Sequence, residues 1–194
     1  GTNGKTTVKE MIAACLRAHF GDEAVLATRG NLNNHIGLPL TLLTLRAAHR
    51  AGVVEIGMNH PGETAELAQI AAPTVAVINN AQREHQEFMR SVTDVADEHA
   101  SLIKSLPADG VAVINADDAY ADLWRELAAP HRIITFGIDR PADVSAEFTL
   151  DAGGSSIHLK TPHGGISMRL SLLGRHNVMN ALAASSASLA AGVS

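Results

Sequence analysis

Aromatic side chains make up only 3% of this 194-residue sequence, with one Trp, one Tyr and four Phe. A core must therefore be built from Ala, Val, Leu and Ile, which suits helices laid on a sheet. Cysteine is scarcer still. Cys15 stands alone, so no internal disulfide can form, and its place in an apolar helical stretch predicts a buried, reduced thiol. No block of Lys or Arg occurs and the formal net charge is -5, so the electrostatic footprint of a nucleic-acid or anionic-lipid binder is missing. No apolar run reaches bilayer-spanning length, and there is no internal repeat or linker-like stretch. What is present is 46% hydrophobic against 18% charged residues, the balance of a folded chain, at a length that suits one domain with a sizeable core.

Apolar periodicity predicts helices over 5–20, 39–49, 61–71, 93–105, 119–127 and 176–191, and strands over 24–28, 52–57, 74–79, 110–115 and 132–136. Residues 29–37 read as a polar loop. The sustained β–α alternation implies a mostly parallel sheet covered by helices. From about residue 144 the rhythm changes: 144–150, 156–160 and 165–172 alternate between Gly and Pro turns and read as antiparallel strands at one edge.

Four clusters carry chemistry. The run Gly1, Thr2, Asn3, Gly4, Lys5, Thr6, Thr7 ends like a P-loop and opens a helix. Glycine lets backbone N–H groups approach phosphate oxygens, Lys5 offers a positive charge to the β/γ-phosphates, and the Thr6 hydroxyl can ligate Mg²⁺. A glycine-rich turn before an ordinary helix is the plainer alternative. The sequence opens inside this motif, on Gly1 rather than Met and without the strand such a loop follows, so a piece of a longer protein is expected. Glu55 closes an apolar strand, where a carboxylate points into the crevice that α/β sheets use for ligands and can hold Mg²⁺; a solvated edge carboxylate is the other reading. His85 lies just past the strand 74–79 on the same rim, a candidate metal ligand, although a lone His is more often structural. Asn177 and Asn180 share a face at the polar start of an Ala-rich helix, and amides can both donate to and accept from an adenine edge. Asn31, Asn33 and Asn34 crowd one loop, as turn chemistry or as an array for a peptide or sugar.

Together these residues resemble the Mur ligase family. The opening heptad, Glu55, His85, the Asn-x-Asp-Asp at 115–118 and the Gly-x-His-Asn-x-x-Asn-Ala-Leu-Ala-Ala at 174–184 follow its motifs in order along the whole chain. Segments 30–43 and 55–63 are similar to the members that add D-alanyl-D-alanine to the UDP-N-acetylmuramoyl-tripeptide, rather than to folylpolyglutamate or cyanophycin synthetases. A P-loop switch module is the rival from another class, and it leaves 174–184 unexplained. The resemblance implies a P-loop-containing three-layer α/β/α domain spanning 1–194, the central ATP-binding part of an enzyme whose N- and C-terminal domains lie outside this chain. It implies a cytoplasmic, monomeric peptide ligase of peptidoglycan synthesis, using ATP and Mg²⁺ through an acyl phosphate, without membrane insertion. Lys5 would stabilise the transferring phosphoryl group; Thr6, Glu55 and His85 would hold metal; His176, Asn177 and Asn180 would contact adenine; Asn31, Asn33 and Asn34 would face the UDP-linked peptide. The chain alone is expected to bind nucleotide weakly and not to ligate. Many members carry a carbamylated lysine in the helix after the loop histidine. His99 stands there in this sequence, so either His99 substitutes or a second metal is held differently.

Overall fold

The apolar runs pair as parallel strands and the amphipathic runs cover them. The computed structural model describes residues 1–83 and 88–193. Helix α1 (Lys5–Phe20) is followed by β1 (Val25–Ala27), α2 (Gly37–Leu42), β2 (Ala51–Val53), α3 (Glu63–Ala71), β3 (Val75–Ile78), α4 (Val92–Lys104), β4 (Val111–Asn115), α5 (Ala121–Leu127) and β5 (Arg132–Phe136). Three further strands, β6 (Ser145–Asp151), β7 (Gly154–Thr161) and β8 (Gly164–Leu170), precede the closing helix α6 (Arg175–Ala190).

Strands β3, β4 and β5 form a parallel sheet in that order, with Ile78 opposite Ile114 and Asn115 opposite Phe136. All five residues of β4 are buried, as a continuous apolar run in a parallel sheet requires. One face packs on α1 and α6 through Val8, Ile12, Val113, Phe136, Val178 and Leu182. The other packs on α4 and α5 through Ile78, Val95, Ile103, Ile114 and Trp124. The sole tryptophan is fully buried and its indole N–H donates to the Ala96 carbonyl at 3.0 Å, so the one large aromatic brings both bulk and a satisfied polar tip to the α4–α5 contact. Strands β1 and β2 pair parallel as a separate two-stranded sheet.

Several expectations need correction. Cys15 is half-buried, because the stripe that faces inward on α1 is Val8, Ile12 and Leu16. The helix expected over 39–49 is α2 and starts earlier. Asn34 Oδ1 accepts from the N–H groups of Ile36 (3.1 Å) and Gly37 (2.8 Å), satisfying donors at its first turn. It ends at Leu42, where the Thr44 hydroxyl takes up the Thr41 carbonyl at 2.7 Å. The strand expected over 52–57 stops at Val53, since β1 gives it only three residues to pair with. The antiparallel strands are not an edge of the parallel sheet. They form their own three-stranded sheet, β6-β7-β8, reached from β5 through a bridge between Phe136 and Val144.

Candidate active site

The glycine-rich loop before α1 is held against the exit of β3 by main-chain and amide groups. Thr2 N–H donates to the Asn80 carbonyl at 3.0 Å, and Asn3 N–H donates to Asn80 Oδ1 at 2.8 Å. Asn79, 5% exposed, donates its amide to the Asn3 carbonyl at 2.7 Å and to Asn180 Oδ1 at 3.3 Å. Asn180 in turn donates to Asn177 Oδ1 at 3.2 Å. Gly4 lies under these amides with φ 79°, and a Cβ there would stand 2.5 Å from Asn180 Oδ1 and 2.8 Å from Asn79 Nδ2. Only glycine fits, on both conformational and steric grounds. A line of amides thus joins the start of α6 to the loop. Lys5 Nζ donates to the Thr2 carbonyl at 3.0 Å, folding the side chain back along the loop.

The acid side is built by the exit of β2. Past Val53 the ladder passes to a side chain: Thr28 N–H donates to the Val53 carbonyl at 3.0 Å, and Glu55 N–H donates to Thr28 Oγ1 at 3.0 Å. Glu55 is 5% exposed. Its Oε1 accepts from Asn33 Nδ2 at 2.7 Å, and its Oε2 is buried without a partner among the described residues. Lys5, Glu55, Asn79 and His99 line one cavity of about 640 Å³ that runs between β2 and β3. Its apolar walls include Ile12 and Leu16 of α1, Val75 and Val77 of β3, and Leu102 of α4. His99, 6% exposed, has its imidazole pushed down to about 2, chiefly by burial and in part by the positive charge of Lys5, so it stands neutral.

Lys5, Glu55 and Asn180 are therefore brought to one region, while other expected residues lie apart. Thr6 is exposed on the first turn of α1 and is not on the cavity wall. His176 is exposed and lies against Asn177. Asn180 is buried and its amide is engaged with Asn79 and Asn177. Asn33 and Asn34 are committed to Glu55 and to the start of α2, and Asn31 is exposed. His85 lies outside the described residues.

Sequence reasoning missed Asn79 as a hub, although a signal was present. Ala-Val-Ile-Asn occurs at 76–79 and again at 112–115, in register on adjacent strands, and Asn115 Nδ2 donates to the Asn79 carbonyl at 2.8 Å. It also missed the stapling role of the acids after β4. Asp117 accepts from the N–H groups of Ile138 (2.7 Å), Asp139 (3.0 Å) and Arg140 (2.8 Å), and Asp118 accepts from Ala81 N–H at 2.9 Å.

A cation of the Mg²⁺ class fits the acid side. It takes hard oxygen donors and often only one or two carboxylates, the rest coming from water and phosphate. Glu55 presents one buried carboxylate oxygen that no described residue satisfies. Among the described residues no group of three His, Cys, Asp or Glu gathers into a protein-only metal cage. No described helix is long and apolar enough to cross a membrane.

The sequence profile of the Mur ligase middle domain matches residues 1–188. The UDP-N-acetylmuramoyl-tripeptide–D-alanyl-D-alanine ligase of Haemophilus influenzae is 41% identical over 194 residues, covering 99% of this chain and 42% of the relative. That of Escherichia coli is 37% identical over 197 residues, with shares of 99% and 42%. The crystal structure of MurF from Acinetobacter baumannii superposes with a TM-score of 0.94 at 37% identity, covering 100% of this chain and 42% of that one. MurF from Thermotoga maritima in complex with ADP superposes with a TM-score of 0.85 at 25% identity, with shares of 100% and 44%. The chain spans about two fifths of the length of the relatives it matches.

Proposed function

The chain belongs to the Mur ligase family, and on that premise we propose that it is the ATP-binding part of the ligase that joins D-alanyl-D-alanine to the UDP-N-acetylmuramoyl-tripeptide in peptidoglycan precursor synthesis. The observation that carries this reading is the meeting of the two family motifs, with Asn180 of the 174–184 segment touching the glycine-rich loop through Asn79. The Thermotoga relative's ADP complex supports the same nucleotide class here.

In this reading the loop of residues 1–7 is a P-loop. Its backbone N–H groups and the start of α1 cradle phosphate, and Lys5 swings from the Thr2 carbonyl to meet the charge of the transferring phosphoryl group. Asn177 and His176, at the exposed start of α6, face the nucleoside, and Asn180 fixes their helix to the loop. Glu55 Oε2 would hold a magnesium ion, with the Thr6 hydroxyl joining it only once its side chain turns inward and His85 as a further candidate ligand. A magnesium ion held there would offset the negative charge of the phosphate oxygens. The γ-phosphoryl group of ATP passes to the peptide's terminal carboxylate with release of ADP, and the amine of D-alanyl-D-alanine attacks the acyl phosphate, forming the amide and releasing phosphate and a proton. The chain's contribution is positioning and charge, so no side-chain nucleophile is required.

We also propose that the chain is the central part of a longer monomeric, cytoplasmic enzyme, and that a strand running into Gly1 fills the cavity between β2 and β3. Its walls are strand edges and apolar helix faces of the kind an inserted strand needs. The test is phosphate release by the full-length protein. D-alanyl-D-alanine is expected to stimulate release only when the UDP-tripeptide is present. Release that ignores the amine would favour a nucleotide switch, and stimulation by glutamate instead would favour a folylpolyglutamate-type ligase.

A further inference from the structure

The amide of Asn33 is turned inward, onto Glu55, and we infer that Asn33 is a positioning residue that aims the Glu55 carboxylate at its cation. This rests on the metal-holding role proposed for Glu55. Asn33 Nδ2 donates to Glu55 Oε1 at 2.7 Å, a charge-assisted bond that fixes the rotation of the carboxylate. The amide cannot drift. The Asn33 carbonyl accepts from Gly57 N–H at 2.8 Å, and Asn33 N–H donates to the Asn31 carbonyl at 2.7 Å. A Cβ on Gly57 would stand 2.8 Å from the Asn33 amide, so any side chain there would push that amide out of its place. On the other side Thr28, 1% exposed, holds Glu55 by its N–H. Backbone and Oε1 are thus both committed, and of the two carboxylate oxygens Oε2 is the one left buried without a described partner. A hydrogen-bonded partner that orients a metal-binding carboxylate is a recurrent second layer of such sites, and its loss lowers metal affinity by ~10–100-fold. Because Asn33 belongs to the loop of residues 30–36, any event that lifts the loop also releases the carboxylate.

The test is calorimetric binding of ADP to the full-length protein with and without Mg²⁺, in the parent and in Asn33→Ala, Asn34→Ala and Glu55→Gln. Asn33→Ala is expected to reduce the gain in ADP affinity given by Mg²⁺ by about tenfold, with metal-free ADP binding unchanged. If Asn33→Ala fails to bind metal-free ADP, Asn33→Leu, of similar shape but without the donor, takes its place and must show the same loss. Asn34→Ala loosens the same loop at α2 without touching Glu55, and is expected to keep the magnesium gain. An equal loss in Asn34→Ala would mean that loop packing alone is at work and would overturn the inference. So would an intact gain in Asn33→Ala alongside its loss in Glu55→Gln. An intact gain in Glu55→Gln would instead sink the reading of Glu55 beneath it.

Discussion

Burial acts strongly on the imidazole of His99. Its ordinary value is 6.5 and the folded one about 2, burial being the main cause. Above pH 6.5 the folded and unfolded chains both carry it neutral. Between about pH 6.5 and 2 the unfolded chain binds the extra proton, so stability falls as pH drops, by up to ~1.4 kcal/mol per unit. Urea titrations between about pH 7 and pH 4 are therefore expected to show a shallower acid loss in His99→Gln than in the parent; parallel slopes would remove His99 from the account. Asn79 gives a second residue-scale expectation. Asn79→Ala deletes donors to Asn3 and Asn180, and ADP affinity should fall by about tenfold or more, equally with and without Mg²⁺, since the loop and not the cation loses its support. Reading these residues from sequence was possible only in part. The positions of Lys5 and Glu55 on one cavity were legible, because a phosphate-loop lysine and an acid past a strand are local patterns. The partners of Asn33 and Asn180 were not, because an amide's partner depends on which strand exits face each other, and nothing in an Asn-rich run says which way each side chain turns.

Helix ends show where local chemistry decides an element. Ser91 caps α4 by accepting from Asp94 N–H at 3.0 Å. Helix α3 ends less comfortably. Ala72 takes φ 45° and ψ 58°, the sole positive-φ residue other than glycine among those described. The left-handed region costs an alanine ~1–2 kcal/mol, while glycine enters it freely at the cost of unfolded-state entropy. Ala72→Gly is accordingly expected to stabilise the fold by about 0.5–1 kcal/mol, read as a higher urea midpoint at unchanged slope. The strands and long helices were legible because their apolar periods are strong; β5 falls at 132–136 as expected and α6 within a residue of its expected limits. Shorter elements were not. Strand β2 ends where its partner ends, and α2 is placed by Asn34, and neither partner choice is written in the element's own residues.

On the scale of the whole molecule, the feature that matters is the cavity separating the two-stranded sheet from the three-stranded one. The main-chain groups of β3 that point away from β4 face it. With a strand in place those groups would be paired. Hydrogen exchange at Val53, Val75 and Val77 is expected to slow by roughly tenfold or more when the chain carries further residues before Gly1, with β4 amides little changed. Equal rates in both forms would show that no strand enters. The cavity also divides the groups proposed for the site: Glu55 follows β2 on one bank, whereas Asn79 follows β3 on the other, with the loop of Lys5 tied to it. The reach from carboxylate to ammonium is thus a span across a seam, like the gauge between two rails laid on separate beds. Whatever draws the beds together or lets them spread resets the distance from carboxylate to ammonium, and with it the charge spacing that the proposed triphosphate would meet, without altering a single residue of either.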